Sequence, residues 1–503
     1  MTKNTCSFVS KFNKWPCPRS VWRDDAFCLF HSDKLEEKAD EFLEEINKIK
    51  EKKPSYLYSV GEREKYKLGD FVGFKFPEGL IDLRHIQFES DVTFREAHIK
   101  GDLNLSNCVF KGYLAFILAI IKGSIILEDA HILGDGINFN EVGVNDDISI
   151  KNTVINGRFQ LANINAINTV DLSKSRTTGT IFIDTCKQIH ILNMSKTQLE
   201  GVLDIANTRI MDNFILDKAA IKGDLIITNS RISKIHGIDF KCSGDMKFTN
   251  VDIGKDDLLV SSKLHNGIIN RMLLNKTNFD NISLHNLIIN EADFEDVTLL
   301  KPKIKSKWFL SSMICGRPLE ALYDEWVARY QNKNPNKQSR LIKKTEEVYR
   351  KLRGSLEKRN NKQYSRKMRA GELEMKLKGS YSLFEKIIIF LYRLLNGYGL
   401  RWLRILIIWI ISILSFAWLG YQGKTATYEQ YNHSLKQYEV KVIDELELPY
   451  AIWHSLETSS ILIRPRLRID GKTEDMLEGI EKIISPFLFL LFIQAAKNTI
   501  NDK

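Results

Sequence analysis

The chain has 503 residues, 44% hydrophobic and 27% charged, with only 10 prolines and 7 cysteines. These values exclude a disordered or collagen-like chain, a proline-rich linker protein and a disulfide-dense secreted scaffold, and the length predicts about three structural units. The formal charge of +10 and pI ≈ 9.0 point toward nucleic acid or a membrane surface, while the mean hydropathy of −0.22 has a soluble look. Each of these is an average over unlike segments.

The N-terminus, MTKNTCSFVSKFNKWPCPRS, has no apolar h-region. No cleavable secretion signal is therefore predicted, and the first folded part is expected to stay in the cytosol. In a reducing compartment clustered cysteines favour a metal over disulfides. Residues 1–32 carry Cys6, Cys17, Cys28 and His31 in a C-x10-C-x10-C-x2-H spacing. Three thiolates and an imidazole suit tetrahedral zinc, and C-x2-H places two ligands on one tight turn. Four protein ligands leave no open position, so the expected zinc is structural and holds together a segment too short to bury a core. Residues 33–70 follow as a helix and connector. Leu35, Ala39, Phe42, Leu43, Ile46 and Ile49 recur at helical spacing before a break at Pro54.

From 71 to 307 a repeat takes over. An apolar residue at position 0 is followed by others at +4 and +6, every 11 residues. Phe88, Val92 and Phe94 begin the series, followed by Ile99, Leu103 and Leu105, and by Phe110, Leu114 and Phe116. One residue is inserted near Gly134–Gly136, and the pattern resumes through Ile221, Leu225 and Ile227. The +4/+6 pair is a two-residue alternation, hence a short strand with one apolar face. Two such units make a coil of about 22 residues, and stacked coils bury a continuous interior, which predicts a parallel β-solenoid of some eleven coils. Glycine recurs at +2 (Gly101, Gly112, Gly123, Gly157, Gly179, Gly201, Gly223), a pattern expected of tight turns with φ > 0. His98 and His131 each precede a unit start and are expected as surface ladder residues.

At the end of the array the period sharpens to five. Phe279, Leu284, Ile289, Phe294 and Leu299 each have a smaller or apolar residue two positions earlier. The stretch Ala292-Asp293-Phe294-Glu295-Asp296 resembles the A-(D/N)-(L/F)-x-x unit of pentapeptide-repeat proteins. That resemblance implies a quadrilateral β-helix with the central residue and the one two before it pointing inward. Residues 71–307 hold 27 Lys+Arg and 29 Asp+Glu. This balance disfavours DNA mimicry and direct nucleic-acid binding, and the expected role is a rigid surface for an unknown protein partner, or a spacer.

Residues 308–380 read as helical and basic. From Arg329 to Lys378 there are 17 Lys+Arg against 5 Asp+Glu, a net +12, so the rest of the chain is close to −2. An amphipathic, interfacial helix is expected at 381–398. Residues 399–503 contain two apolar runs, ILIIWIISILSFAWL and IISPFLFLLFIQAA, predicting spans at about 401–421 and 478–497. The upstream basic residues would then face anionic lipid head groups and set the solenoid on the cytoplasmic side of a cell membrane.

Between the runs, PYAIWHSLETSSIL is followed by IRPRLRID. The order of span, short helix ending in hydroxyls, loop and second span resembles the two-span ion-channel module. The whole chain order is similar to pentapeptide-repeat membrane proteins carrying such a module. The resemblance implies pore-helix residues His454, Glu457, Thr458, Ser459 and Ser460, with Arg464, Arg466 and Arg468 beyond them, and a homo-oligomer. No T-V-G-Y-G filter follows, so potassium selectivity is not expected. No nucleotide-binding, hydrolase or metalloprotease motif occurs, and an enzyme is not expected. Two functions follow: a channel-like membrane effector whose solenoid docks or senses a partner, and a membrane-anchored interaction scaffold without transport.

Overall fold

The computed structural model describes residues 5–11, 14, 16–17, 19–50, 69–254, 262–278, 282–298, 322–331, 335–379, 381–398, 402–421, 424, 426–432, 437–458, 467–469 and 472–500. The chain divides into two compact units, residues 1–300 with 321–361, and residues 301–320 with 362–503.

The first unit is a parallel β-solenoid of about nine turns, two fewer than the repeat length suggests. The coils are not uniform, although nine ladder steps carry Gln87 to Ile288 and keep their mean at about 22 residues. Val109 pairs with His131 at an offset of 22 residues, and the inserted residue stretches the next step, His131 to Val154, to 23. Lys241 to Ile268 takes 27, and the last coil, Ile268 to Ile288, takes 20. The 20-residue coil is the one carrying the five-residue period. In the first coils the strands are two residues long and fall four to a coil, at 87–88, 92–93, 98–99 and 103–104. Every residue named above at 0, +4 and +6 is buried, because a two-residue strand period sends alternate side chains to the same side. In the final coil Leu284, Leu287, Ile289, Ala292, Phe294 and Val297 are buried as well. Phe279 and Leu299 lie outside the described residues. His98 pairs with Ile120 and His131 with Val109, so the two histidines stand on different sheets and form no common ladder.

The +2 glycines serve a different purpose from the one their spacing suggests. None of the seven has positive φ. The left-handed turns instead fall at +8, on Glu96, Asn107, Leu118, Asp129, Asn152, Asn163, Asn207, Lys218 and Asn229. Asparagine tolerates this conformation best, and stacked asparagines bond along the rod, Asn163 to Asn140 at 2.8 Å and Asn250 to Asn229 at 2.9 Å. The glycines are required because successive coils touch there. A Cβ on Gly201 would lie 2.3 Å from the Gly179 carbonyl oxygen, and one on Gly223 would lie 2.2 Å from that of Gly201. Replacing Gly201 with alanine is therefore expected to destabilise the solenoid by about 1–3 kcal/mol, since the clash is with backbone that no rotamer can relieve. Urea denaturation of the pure variant measures it, and an unchanged midpoint would contradict the close approach.

Helix α1 (Leu35–Lys50) forms as predicted and buries Phe42 and Ile46. After the solenoid a short helix, α2 (Tyr323–Trp326), runs into a π-turn at Val327–Gln331, followed by α3 (Pro335–Lys358). Tyr349 of α3 donates to Glu325, and Ser355 donates to the Ile289 carbonyl, covering the last coil and its open strand edge.

The second unit contains α4 (Lys362–Lys378), α5 (Leu383–Asn396), α6 (Trp402–Phe416), α7 (Leu448–Thr458) and α8 (Lys472–Ile500). Helix α5 begins with a Ser382–Glu385 capping box and ends at Gly397 in the left-handed conformation. The strands Ala426–Asn432, Gln437–Ile443 and Leu467–Ile469 form a small antiparallel sheet.

The C-terminal unit corrects the membrane expectation. Among the described residues no helix is long and apolar enough to cross a membrane. The first apolar run is a 15-residue helix, α6, that passes into a π-turn at Ala417–Tyr421. The second lies within the 29-residue α8, whose N-terminal half is charged and whose interior holds Pro486. At 1.5 Å per residue α6 reaches only about 22 Å, short of a ~30 Å hydrocarbon layer. The predicted spans at 401–421 and 478–497 are not formed, which overturns the multi-pass cell-membrane location.

Candidate metal centre

The head is a hairpin closed by the bridges Thr5–Ser20 and Val9–Pro16. Its ladder bonds, Cys6 N to Arg19 O and Cys17 N to Phe8 O, each 2.8 Å, bring two cysteines side by side. Cys28 and His31 share one turn, in which the His31 amide donates to the Cys28 carbonyl at 3.0 Å. The four residues predicted as zinc ligands therefore converge, with their ligand atoms all within 4.8 Å of one another and all four residues buried.

The spacings fit a tetrahedral ion. Zn–S bonds of about 2.3 Å and Zn–N bonds of about 2.0 Å set S···S edges near 3.8 Å and S···N edges near 3.5 Å. Cys17 and Cys28 are 3.9 Å apart, while His31 Nδ1 lies 3.4 Å from Cys6 Sγ and 3.2 Å from Cys28 Sγ. His31 Nε2 is 2.9 Å from the Val72 carbonyl, which can only accept, so the proton sits on Nε2 and the Nδ1 lone pair faces the sulfurs. Hydrogen bonds with Cys17 and Cys28 hold the Cys6 thiol well below its usual range, and bonds within the same cluster push Cys28 up. Burial pulls His31 down, yet its bonds to Cys17 and Cys6 leave it raised overall.

The centre also joins the head to the solenoid. Val72 belongs to the first coil, where Asp70 bridges Thr93 and Lys75 bridges His98. His31 stacks on Phe8 at 3.9 Å, and Phe30 stacks on Phe74 at 4.6 Å. Glu96 accepts from Ser10 Oγ at 2.6 Å and from the Lys11 amide at 2.9 Å. Gly73, at φ +68°, lies under the Phe8 ring, where a Cβ would come within 2.0 Å of it. Lys38 is fully buried, donates to the Ser32 carbonyl at 2.8 Å, and is pulled by burial to about 8.

A second cluster, which no sequence motif announces, sits at the other end of the rod. Asp324 is buried and accepts from Ser283 Oγ at 2.5 Å and from the Leu284 amide at 2.8 Å, with His285 Nε2 at 3.2 Å. His265 Nε2 lies 2.7 Å from Ser283 Oγ. The serine stands between histidine and aspartate, with its proton directed at the carboxylate, which is not the order of a hydrolytic triad. Instead, Asp324 pins α2 to the last coils. His265 is lowered to about 4, mainly by burial and then by neighbouring His285. A folded value below the unfolded one means that stability is lost as pH falls from about 6.5 to about 4. Burial raises Asp324, so this group works in the opposite direction and adds stability on acidification. In His265→Gln the acid loss between pH 6.5 and 4 is expected to shrink by about 1–2 kcal/mol, a figure reduced for the group's partial exposure. Thermal melts across that range measure it, and identical acid slopes in both proteins would contradict the assignment.

Of the pore-helix residues, His454, Glu457 and Thr458 lie on α7 and are buried. Glu457 accepts from Trp453 Nε1 at 2.9 Å, and His454 packs edge-on to Tyr421 at 4.7 Å. Tyr421 donates to Glu481 at 2.7 Å, and Ser455 donates to the same carboxylate. Arg468 is in the strand Leu467–Ile469, paired with Thr427. Ser459, Ser460, Arg464 and Arg466 lie outside the described residues. No family model matches the chain, and no curated protein or solved structure is significantly similar to it.

Proposed function

We propose that the chain is a structural interaction scaffold: a β-solenoid that presents a rigid surface to a protein partner, with a zinc ion held by Cys6, Cys17, Cys28 and His31 closing its N-terminal end. The observation that carries this reading is the solenoid of about nine turns with both of its ends covered. Zinc there supplies structure rather than chemistry, since four ligands saturate a tetrahedral ion. For the partner surface, the exposed isoleucines Ile268 and Ile288 are paired on adjacent coils and offer an apolar anchor on an otherwise polar face. A photo-crosslinker at position 288 is expected to capture a discrete partner in cells that express the protein, and Ile268→Lys is expected to abolish that adduct. A crosslinker at exposed Lys174 serves as the control. If positions 288 and 174 yield the same adducts, or if Ile268→Lys leaves them unchanged, the scaffold surface is not there.

A further inference from the structure

A cavity of about 280 Å³ opens beside the metal centre, between the head and the first coils. Cys17 and His31 line it, whereas Cys6 and Cys28 do not. Its floor is built by Thr93, Tyr113 and Ala115 of the solenoid, and its wall carries Arg19 and Arg95 together with Asp70 and Asp91. Arg19 Nη1 is 3.8 Å from Cys17 Sγ. One sulfur of the four-ligand cluster is thus reachable by a small polar molecule, beside a cation, with a second sulfur 3.9 Å behind it.

We propose that Cys17 is a site of oxidation by hydrogen peroxide, and that a Cys17–Cys28 disulfide then forms and expels zinc. This inference rests on the zinc reading above. The Cys17 thiolate attacks one peroxide oxygen, so an S–O bond forms, the O–O bond breaks and hydroxide leaves. The Cys28 thiolate then attacks the Cys17 sulfur, forming the S–S bond and expelling a second hydroxide. Two protons from solvent convert both hydroxides to water. The two thiolates lose two electrons and the peroxide gains two. Zinc is left with Cys6 and His31 alone, too few to hold it. The cavity sets the order of attack: peroxide of this size enters it, and only Cys17 meets it there. Arg19, 3.8 Å from the Cys17 sulfur, attracts the departing hydroxide during the reaction. Losing the ion frees His31, so oxidation would undock the head from Val72 and open the end of the solenoid.

The test uses the full chain as purified. Zinc content is measured first; an absence of zinc overturns the zinc reading and this proposal together. With zinc present, hydrogen peroxide is added, released zinc is followed with a colorimetric chelator, and disulfides are mapped by mass spectrometry. The expected result is one zinc released per Cys17–Cys28 disulfide formed, reversed by dithiothreitol with added zinc. Ala115→Phe and Thr93→Gln each fill the cavity without touching a ligand, and should retain zinc while slowing release roughly tenfold. Two variants are used so that a folding failure in one leaves the other to decide. Zinc retained under excess peroxide, a disulfide through Cys6 with Cys17 still reduced, or release at the wild-type rate in a folded, zinc-loaded variant would each overturn the oxidation site while leaving structural zinc standing.

Discussion

Replacing Cys28 with serine is expected to reduce bound zinc from one ion per chain to nearly none, and to release the head from the solenoid. Structural zinc in small domains contributes an apparent 10–16 kcal/mol at pH 7, most of it as folding free energy. Among the described residues of the head the buried apolar ones are Cys6, Cys17, Trp22, Cys28, Leu29 and Phe30, so half of this set consists of the cysteines themselves, and a segment this short gains most from a metal. The effect should spread to the first coil, because His31 Nε2 bonds the Val72 carbonyl and Phe30 covers Phe74. Metal analysis with limited proteolysis of wild type, Cys28→Ser and chelator-treated protein measures this. Residues 1–32 should become protease-sensitive in the last two, while the central coils stay protected, since a solenoid is stabilised by nearest-neighbour interfaces. If Cys28→Ser binds as much zinc as wild type, the four-residue site is wrong.

Phe94→Ala should cost about 3–5 kcal/mol, the range for emptying a buried aromatic site. Phe94 is fully buried and stacks on Phe71 at 4.6 Å and on Phe116 at 5.0 Å, and Phe116 continues the stack to Phe139 at 4.9 Å. This column runs along the rod and carries packing from the capped end into the coils. The cavity left by alanine cannot collapse easily, because the backbone rungs on either side are held at fixed spacing by their ladder bonds. Phe94→Leu, which keeps most of the volume, should cost much less. Chemical denaturation of the three proteins separates the cases. A loss under about 1 kcal/mol for the alanine variant would mean that the first coils melt independently of the rest.

Much of the first unit was legible because its order is local. A strand's two-residue period and a coil's return after about 22 residues are written into consecutive side chains, so the inward positions from Phe88 to Ile227 could be named from spacing alone. The Cys3His set was legible for a related reason: few residue types bind zinc, and four of them fall within 31 positions. The glycines were harder. Their recurrence was visible, but a recurrent +2 glycine fits both a left-handed turn and a close contact, and only the stacking of Gly201 on Gly179 distinguishes these. The individual coil lengths were not legible, because a 27-residue coil and a 20-residue coil look alike as stretches of alternating sequence.

The C-terminal unit shows the opposite limit. Hydrophobic runs predicted two spans because run length is read without reference to where a helix begins and ends. In the fold, the first run gives way to a π-turn after Phe416, and the second joins a charged half-helix whose Glu481 is buried against Tyr421 and Ser455. Those contacts join residues 26 and 60 positions apart, which no window of apolar residues can register. The same distance in sequence hid Asp324, 41 positions from Ser283, and the cavity beside Cys17. By itself, then, the sequence determined the repeat, its inward face and the members of the Cys3His cluster, since each depends on neighbouring residues and on the chemistry of single side chains. The tertiary structure decided the reason for the glycines, the ends of the apolar helices, the latch at Asp324 and the route to Cys17, because each arises where segments distant in the chain meet.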